Sequence, residues 1–267
     1  MKLIDGKKIA DGILAELKEK IKNSGFVPGL AVVLVGNDKA SQIYVGLKEK
    51  AAREVGINFE KFLFDEDVKE EEIISKIEGL NKNENIHGII VQLPLPEKFD
   101  TDKIINAIYP EKDADGFRNG SKNENPVFPS AIMKMIRSES GDIKSAVIIT
   151  KSSKFGESMQ GVLEKNNVES DYLFCDKFEK DDLSGYDAVI TACGMPDLIG
   201  SESVRDGAVV IDGGIKKEGK KVLGDIDIES FKNTDCAVSP VPGGVGPMTI
   251  CSLMKNTLAA GKKQYYK

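Results

Sequence analysis

The sequence contains no tryptophan, a single histidine (His87) and only four cysteines in 267 residues. The cysteines, Cys175, Cys193, Cys236 and Cys251, include no Cys-x-x-Cys pair. We therefore expect free thiols in a reducing compartment rather than a disulfide framework. Structural zinc sites need clusters of cysteine and histidine, so no metal site is expected.

Long apolar runs and an excess of basic residues are also missing. No run approaches the ~20 apolar residues of a membrane span. The N-terminal stretch MKLIDGKKIADGILAELKEK lacks the uninterrupted apolar core of a signal peptide. The net charge of −6 and a pI of about 5.2 argue against a general nucleic-acid binder. We expect a cytoplasmic protein without a membrane or nucleic-acid partner.

Hydrophobic periodicity predicts alternating helices and strands along most of the chain. Within 7–25, apolar residues recur at every fourth position, which is typical of an amphipathic helix, and the apolar run 30–36 is typical of a buried strand. A polar, turn-rich stretch at 118–126 interrupts the alternation and predicts a domain boundary. Because alternating strands and helices favour parallel sheets, the predicted fold class is α/β with two domains.

One stretch departs from this alternation. SPVPGGVGPMT, residues 239–249, holds three prolines and three glycines. Proline fixes φ and lacks a backbone donor, and glycine permits backbone shapes closed to other residues. The composition predicts a stiff loop that is neither helix nor strand, leading into a final helix.

Parallel sheets bind ligands at the carboxyl ends of their strands, so the residues just past each predicted strand are candidates. Gln92 follows one strand, and Asp113 and Asp115 lie in the segment KDADGF. Gly194 and Ile215 follow two later strands. These residues predict one cleft, with ordinary polar loops as the alternative.

Tyr44 and Lys48 are four residues apart on one predicted helix and therefore share a face. A partly buried lysine can lose its proton near neutral pH and act as a base. The alternative is a lysine whose stem packs beside a tyrosine while its ammonium reaches solvent. The two residues alone do not distinguish these readings.

Five stretches together resemble the methylenetetrahydrofolate dehydrogenase/methenyltetrahydrofolate cyclohydrolase family. In chain order they are VGNDKASQIYVGLKEKAAREVGI, HGIIVQLPLP, PEKDADGF, GAVVIDGGI and SPVPGGVGPMT. VQLPLP and PVPGGVGPMT are the most specific. The resemblance implies a folate-binding catalytic domain at 1–118 plus 248–267 and a Rossmann-like NAD(P)-binding domain at 119–247. It further implies a folate cleft between the two domains and a homodimer formed through the cofactor domain.

The resemblance also implies an activity and a set of site residues. The activity is oxidation of 5,10-methylenetetrahydrofolate to the 5,10-methenyl form with NAD(P), then hydrolysis to 10-formyltetrahydrofolate. Lys48 matches the family's catalytic lysine, and Tyr44 its ring-stacking neighbour. Gln92 matches the glutamine that holds the lysine, and Asp115 the carboxylate that binds the pterin. The resemblance implies that Pro242, Gly243 and Gly246 form a wall of the folate pocket.

The cofactor loop departs from the family pattern Gly-Arg-Ser-x-x-Val-Gly-x-Pro. Thr150 replaces the glycine and Lys151 the arginine, whereas Ser152 is kept. Asp176 stands where an acid favours NAD by accepting the ribose hydroxyls, although CDKFE also reads as a solvated turn. The predicted cofactor-binding residues are Thr150, Lys151, Ser152, Asp176, Cys193, Gly194 and Ile215.

The sequence therefore leaves alternatives open for the preferred cofactor and for the function. Positive charge favours binding of the 2′-phosphate of NADP, and it is supplied here by Lys151, Lys154 and Lys177. NADP is also the usual cofactor of the family that the chain resembles, and NAD is the alternative. For function, the alternatives are a cyclohydrolase with weak or lost dehydrogenase activity and a non-catalytic folate- or nucleotide-binding regulator. A two-domain dehydrogenase of another substrate fits the composition but not the two specific motifs.

Overall fold

A computed structural model describes residues 1–118, 126–139, 141–178, 183–219 and 221–265. These residues form two compact units. The three-stranded unit consists of Asp11–Val127 and Ile250–Lys267, and the six-stranded unit of Met1–Ala10 and Phe128–Thr249. Most of the predicted boundary segment, residues 119–125, lies outside the described residues.

The elements alternate along the chain much as the periodicity predicts. The strands are β1 (Lys2–Leu3), β2 (Gly29–Val35), β3 (Asn58–Phe64), β4 (Gly88–Val91), β5 (Ser145–Thr150), β6 (Glu169–Phe174), β7 (Ala188–Ala192), β8 (Val209–Asp212), β9 (Lys216–Glu218), β10 (Lys221–Leu223) and β11 (Ala237–Val238). The helices are α1 (Gly6–Lys22), α2 (Lys39–Val55), α3 (Glu70–Lys82), α4 (Thr101–Asn106), α5 (Val127–Arg137), α6 (Ser153–Glu164) and α7 (Val245–Tyr265).

The three-stranded unit is built on a parallel sheet of order β3-β2-β4. All seven residues of the central strand β2 are buried. Successive side chains of a strand point to opposite faces. Leu30, Val32 and Leu34 accordingly join one apolar cluster, and Ala31 and Val33 another. Burial on both faces explains why β2 is an unbroken apolar run.

The six-stranded unit contains a parallel sheet of order β1-β11-β8-β7-β5-β6. The chain leaves β5 for β6 on one side and returns to β7 on the other. The sheet therefore reverses its strand order at β5, and ligands bind beside the carboxyl ends of strands at such a reversal. Strands β9 and β10 form a separate antiparallel pair.

Two features differ from the sequence-based expectations. Helix α7 begins at Val245, inside the stretch predicted to be neither helix nor strand. Pro247 lies in its first turn, where the missing N–H is not needed, so the prolines did not exclude a helix there. The two-residue strands β1 and β11 were not predicted. Their pairing brings Met1–Ala10 into the six-stranded unit, and the domain bounds given in the sequence analysis stay a prediction.

The expectation of four free thiols is wrong for Cys175 and Cys193, which form a disulfide. Cys175 directly follows β6 and Cys193 directly follows β7, and these strands flank β5 in the sheet. The two strand ends lie at the same edge, which brings together residues 18 positions apart. Within the described residues, no helix is long and apolar enough to cross a membrane.

Candidate active site

Lys48 lies on helix α2, one turn after Tyr44. The carboxylate of Asp38 caps this helix by accepting the backbone N–H of Ser41, and the helix ends at Gly56 with a φ of 88°. Lys48 is buried, with 6% of its surface exposed, and its ammonium lies 4.9 Å from the centroid of the Tyr44 ring. The alternative of a lysine whose ammonium reaches solvent is therefore wrong.

Gln92 holds the ammonium of Lys48. It directly follows β4, and its backbone N–H donates to the carbonyl of Val33 on the neighbouring strand. Its side-chain Nε2 donates to the carbonyl of Leu93 over 2.7 Å, which leaves Oε1 to accept from Lys48 Nζ over 2.9 Å. The sheet thus fixes the backbone, and the amide bond fixes the orientation of the acceptor.

Asp115 lies in a turn that Asp113 shapes. Asp113 bridges to Ile89 of β4, and its buried carboxylate accepts the backbone N–H groups of Gly116 (2.9 Å) and Arg118 (3.0 Å). The carbonyl of Asp115 accepts the N–H of Val127. Within the described part of the chain, the carboxylate of Asp115 itself accepts no hydrogen bond.

The charges of Lys48 and Asp115 influence each other's proton affinity. Burial lowers the pKa of Lys48, and the negative charge of Asp115 opposes that shift only in part. Burial raises the pKa of Asp115, with a further rise from Asp113 and a counteracting fall from Lys48. Burial thereby shifts both groups towards their neutral forms.

A second group of predicted residues lies along the carboxyl edge of the six-stranded sheet. Thr150 is the last residue of β5, and Asp176, Cys193 and Ile215 follow β6, β7 and β8 respectively. These four strands are parallel neighbours. The structure therefore brings the predicted cofactor residues to one edge, as expected for a dinucleotide site.

The local geometry of this edge fits a dinucleotide. Ser152 caps α6 by accepting the backbone N–H of Phe155, and the exposed Lys151 lies beside that helix end, where a phosphate is favoured. Gly194 has a φ of 64°, and a Cβ there would lie 3.1 Å from the carbonyl oxygen of Ile215. Only glycine fits that approach without strain.

Comparisons with known proteins decide the family. Residues 4–115 match the model of the tetrahydrofolate dehydrogenase/cyclohydrolase catalytic domain, and residues 126–265 match the NAD(P)-binding domain of the same family. The chain belongs to the tetrahydrofolate dehydrogenase/cyclohydrolase family. Both matches agree with the resemblance drawn from the five sequence stretches, and the predicted two-domain α/β fold is confirmed.

Curated and solved relatives of this family resemble the chain over nearly its whole length. The bifunctional protein FolD of Geotalea daltonii is 40% identical, covering 98% of this chain and 99% of the relative. The FolD structure from Campylobacter jejuni has a TM-score of 0.91 at 36% identity and covers 98% of this chain and 99% of that chain. A Trypanosoma brucei FolD structure, complexed with NADP and an inhibitor, has a TM-score of 0.91 at 30% identity, covering 99% and 98%.

The predicted pocket wall of this family member lies in the six-stranded unit. Gly243 has a φ of 103°, and its carbonyl accepts the N–H of Lys7. A Cβ on Gly246 would meet nothing within 4 Å, so the space beside that residue is open. Pro242 precedes them directly. Lys48, Gln92 and Asp115 lie in the other unit, so a common folate pocket stays a prediction.

Sequence reasoning missed Ser41 and gave no role to Asp113. The hydroxyl of Ser41 is buried and has no hydrogen-bond partner among the described residues. Ser41 lies three residues before Tyr44 and seven before Lys48, on the same helix face. That spacing was visible in the sequence. The capping role of Asp113 was not, because a carboxylate in a turn does not reveal which N–H groups it accepts.

Proposed function

We propose that this protein oxidises 5,10-methylenetetrahydrofolate to the 5,10-methenyl form with NAD(P) and hydrolyses that product to 10-formyltetrahydrofolate. The observation that carries the proposal is the buried contact of Lys48 with Gln92 and Tyr44. The negative charge of Asp115 acts on Lys48, and these residues lie in the unit that matches the family's catalytic domain. The protein is thus an oxidoreductase and a hydrolase of one-carbon metabolism.

Asp115 is proposed to bind the pterin. The edge of a pterin offers adjacent N–H donors, and a carboxylate can accept two of them at once. The carboxylate accepts no hydrogen bond within the described part of the chain, so its oxygens stay available for a ligand. Tyr44 is proposed to stack on the pterin ring, and Pro242, Gly243 and Gly246 to leave room for that flat ring.

Lys48 is proposed to move the proton in the hydrolytic step. Attack of water on the methenyl cation requires the water to lose a proton and a ring nitrogen to gain one. Such a step needs a group that titrates near the working pH, and burial lowers the pKa of Lys48 in that direction. Gln92 accepts from Nζ over 2.9 Å and keeps the amine in place for the transfer.

A bound NAD(P) would supply the hydride acceptor for the oxidation of the folate methylene. The chain's own contribution to that step is positioning and electrostatics. Thr150, Ser152, Cys193 and Gly194 are proposed to line the dinucleotide site, with Ile215 as an apolar surface. Lys151 is proposed to meet a phosphate and Asp176 the ribose. NADP is the proposed cofactor, supported by the family's habit, and NAD is the alternative.

The domain bounds and the homodimer rest on the family resemblance, and the cytoplasmic location rests on the sequence-based expectation. We propose residues 1–118 with 248–267 as the folate-binding catalytic domain and 119–247 as the NAD(P)-binding domain, a homodimer and a cytoplasmic location. One observation favours a weakened dehydrogenase as second candidate. Thr150 is buried at the end of β5, with its hydroxyl accepting the N–H of Ser152, where the family carries glycine. The match of both family domains favours the bifunctional enzyme.

Replacing Asp115 tests the proposal directly. In Asp115→Ala the pterin donors lose their acceptor, which costs ~2–4 kcal/mol of substrate binding. Both activities should fall together while dinucleotide affinity holds. Titration calorimetry with tetrahydrofolate measures the effect. Asp100→Ala is a matched control, because Asp100 caps α4 in the same unit. Wild-type folate affinity in Asp115→Ala would remove this carboxylate from the site.

A further inference from the structure

Two carboxylates that the proposed chemistry does not use are buried beside the predicted cofactor edge. Asp212 is the last residue of β8, and Asp225 follows β10. Asp225 is completely buried, and Asp212 is 3% exposed. Carboxylates are almost never buried to this extent without several hydrogen-bond donors. The donors that surround them reveal what the two side chains hold in place.

Asp225 holds the loop that follows β7. Its Oδ2 accepts the backbone N–H of Cys193, and its Oδ1 accepts that of Met195, each over 2.7 Å. The two donors flank Gly194, whose φ of 64° is open mainly to glycine. One carboxylate thus spans the loop on both sides of its glycine and fixes the direction of the chain through it.

Asp212 holds Asp225 and the next loop along the sheet edge. Its Oδ1 accepts the backbone N–H groups of Gly214 and Asp225, and its Oδ2 that of Ile226, all over 3.0 Å. The backbone of Asp225 is therefore anchored at β8, while its side chain reaches the loop after β7. The loops after two neighbouring strands become one connected unit.

Two glycines make room for this arrangement. A Cβ on Gly214 would overlap the carboxylate of Asp225, and a Cβ on Gly224 would overlap that of Asp212. The sequence segments DGG at 212–214 and GD at 224–225 thus supply both the acids and the space they occupy. Any side chain at either glycine would displace the acid that anchors the loop.

We propose that Asp225 is a positioning residue for dinucleotide binding, because it holds Cys193, Gly194 and Met195 in the shape that the cofactor meets. The inference rests on the proposed function of this edge. Asp225 acts through the loop and touches no reacting atom. Its loss should therefore weaken NAD(P) binding and leave methenyl hydrolysis, assayed without dinucleotide, unchanged.

Asp187 provides a matched control for Asp225. It precedes β7, at the opposite end of that strand, and its Oδ2 also accepts two backbone N–H groups, from Lys144 (2.7 Å) and Ser145 (2.9 Å). Asp187→Asn removes a carboxylate charge and its ion pair with Arg205 from the same unit, far along β7 from the predicted cofactor edge. A general loss of stability would affect the two variants alike, whereas positioning affects only Asp225→Asn.

The experiment compares Asp225→Asn, Asp187→Asn and the wild type, all as full chains. Titration calorimetry with NADP and with NAD gives the dissociation constants, and steady-state kinetics give KM for dinucleotide and kcat for methenyl hydrolysis. We expect Asp225→Asn to raise the dissociation constant and KM for dinucleotide at least tenfold, with hydrolysis within twofold of the wild type. Asp187→Asn should leave dinucleotide binding unchanged.

Two outcomes with folded variants would overturn the inference. Wild-type dinucleotide affinity in Asp225→Asn, or an equal loss in Asp187→Asn, would contradict positioning by Asp225. If Asp225→Asn does not fold, Gly194→Ala decides, since it strains the same loop and leaves both acids intact. Unchanged dinucleotide affinity in Gly194→Ala then overturns the inference. A wild type that binds neither dinucleotide would instead refute the proposed dehydrogenase, and the inference with it.

Discussion

Both units bury charged side chains, but the number of hydrogen bonds that these side chains make differs between the units. In the three-stranded unit, the buried ammonium of Lys48 donates, within the described residues, to Gln92, although it carries three donors. In the six-stranded unit, Asp212 accepts three backbone N–H groups and Asp225 accepts two. A buried charge with few partners stays chemically adjustable, whereas one surrounded by backbone donors fixes the shape of the chain.

Many hydrogen bonds do not abolish the effect of burial. The pKa of Asp212 is raised to about 6, because burial and the nearby charge of Asp225 outweigh the three N–H groups that favour the ionised form. The difference between the units is therefore one of use. Lys48 lies beside groups that we propose to contact the substrate, whereas the hydrogen bonds of Asp212 connect two loops of its own unit.

Replacing Lys48 should have the largest effect and tests the chemical half of the comparison. Lys48→Gln keeps most of the length but cannot carry the proton, so hydrolysis should fall ~10²-fold or more. Hydride transfer should lose clearly less. The free energy of unfolding should not fall, because burial disfavours the ammonium that is removed. Separate assays of the two steps across pH, with chemical denaturation, measure these quantities.

The exposed Lys50 on the same helix supplies the control, and Lys50→Gln should leave both steps unchanged. Gln92 should couple to Lys48, so the double variant should be no worse than Lys48→Gln alone. Equal losses in hydrolysis and hydride transfer would show that Lys48 only binds substrate. The contrast between the two units would then disappear.

The pH dependence of the free energy of unfolding tests the other side of the comparison, the structural role of Asp212. The pKa of Asp212 in the folded chain, about 6, lies above its ordinary value of 3.8. Its stabilising contribution is therefore complete below the ordinary value and is lost as the pH rises through about 6. Between about pH 4.5 and about pH 7 it should decrease by about 2 kcal/mol. Urea unfolding of the wild type and of Asp212→Asn over this range measures the difference.

The difference in free energy of unfolding between the wild type and Asp187→Asn should change with pH in the opposite direction. Burial acts to raise the pKa of Asp187, but the N–H groups of Lys144 and Ser145 and the charge of Arg205 together lower it. Its contribution is therefore present above its ordinary pKa and is lost as the pH falls through the lowered value. If the stability differences caused by Asp212→Asn and Asp187→Asn changed with pH in the same direction, the raised pKa of Asp212 would be contradicted.

Cofactor preference should show the smallest effect, since both groups concerned are exposed. If Asp176 meets the ribose, Asp176→Ser should improve the use of NADP relative to NAD by a few fold. If the lysines dominate, Lys151→Ala should weaken NADP selectively by a similar factor. Exposed charges contribute ~1 kcal/mol or less, which limits both changes to about fivefold or less. The ratio of kcat/KM for the two cofactors decides between them.

Lys165 lies at the opposite end of α6 from Lys151, and Lys165→Ala should leave that ratio unchanged. An unchanged ratio in both Asp176→Ser and Lys151→Ala would mean that neither residue faces the 2′ position. The residues that read the 2′ position would then stand elsewhere in this chain than in the family pattern, in addition to the differences in the sequence of the cofactor loop.

The sequence by itself determined the alternation of helices and strands, the shared face of Tyr44 and Lys48, and the family. These properties depend on spacing within about 20 residues or on contiguous motifs, and both can be read from the chain. The contact of Lys48 with Gln92, across 44 positions, came from the family resemblance and was then observed.

Only the tertiary structure decided which distant residues meet. The disulfide between Cys175 and Cys193 depends on β6 and β7 flanking β5, and the contact of Asp225 with Cys193 crosses 32 positions. Strand order is set by the packing of whole elements, so local periodicity carries no record of it. The start of α7 inside a proline-rich stretch has a related reason, because packing can extend a helix through residues whose local preference is against it.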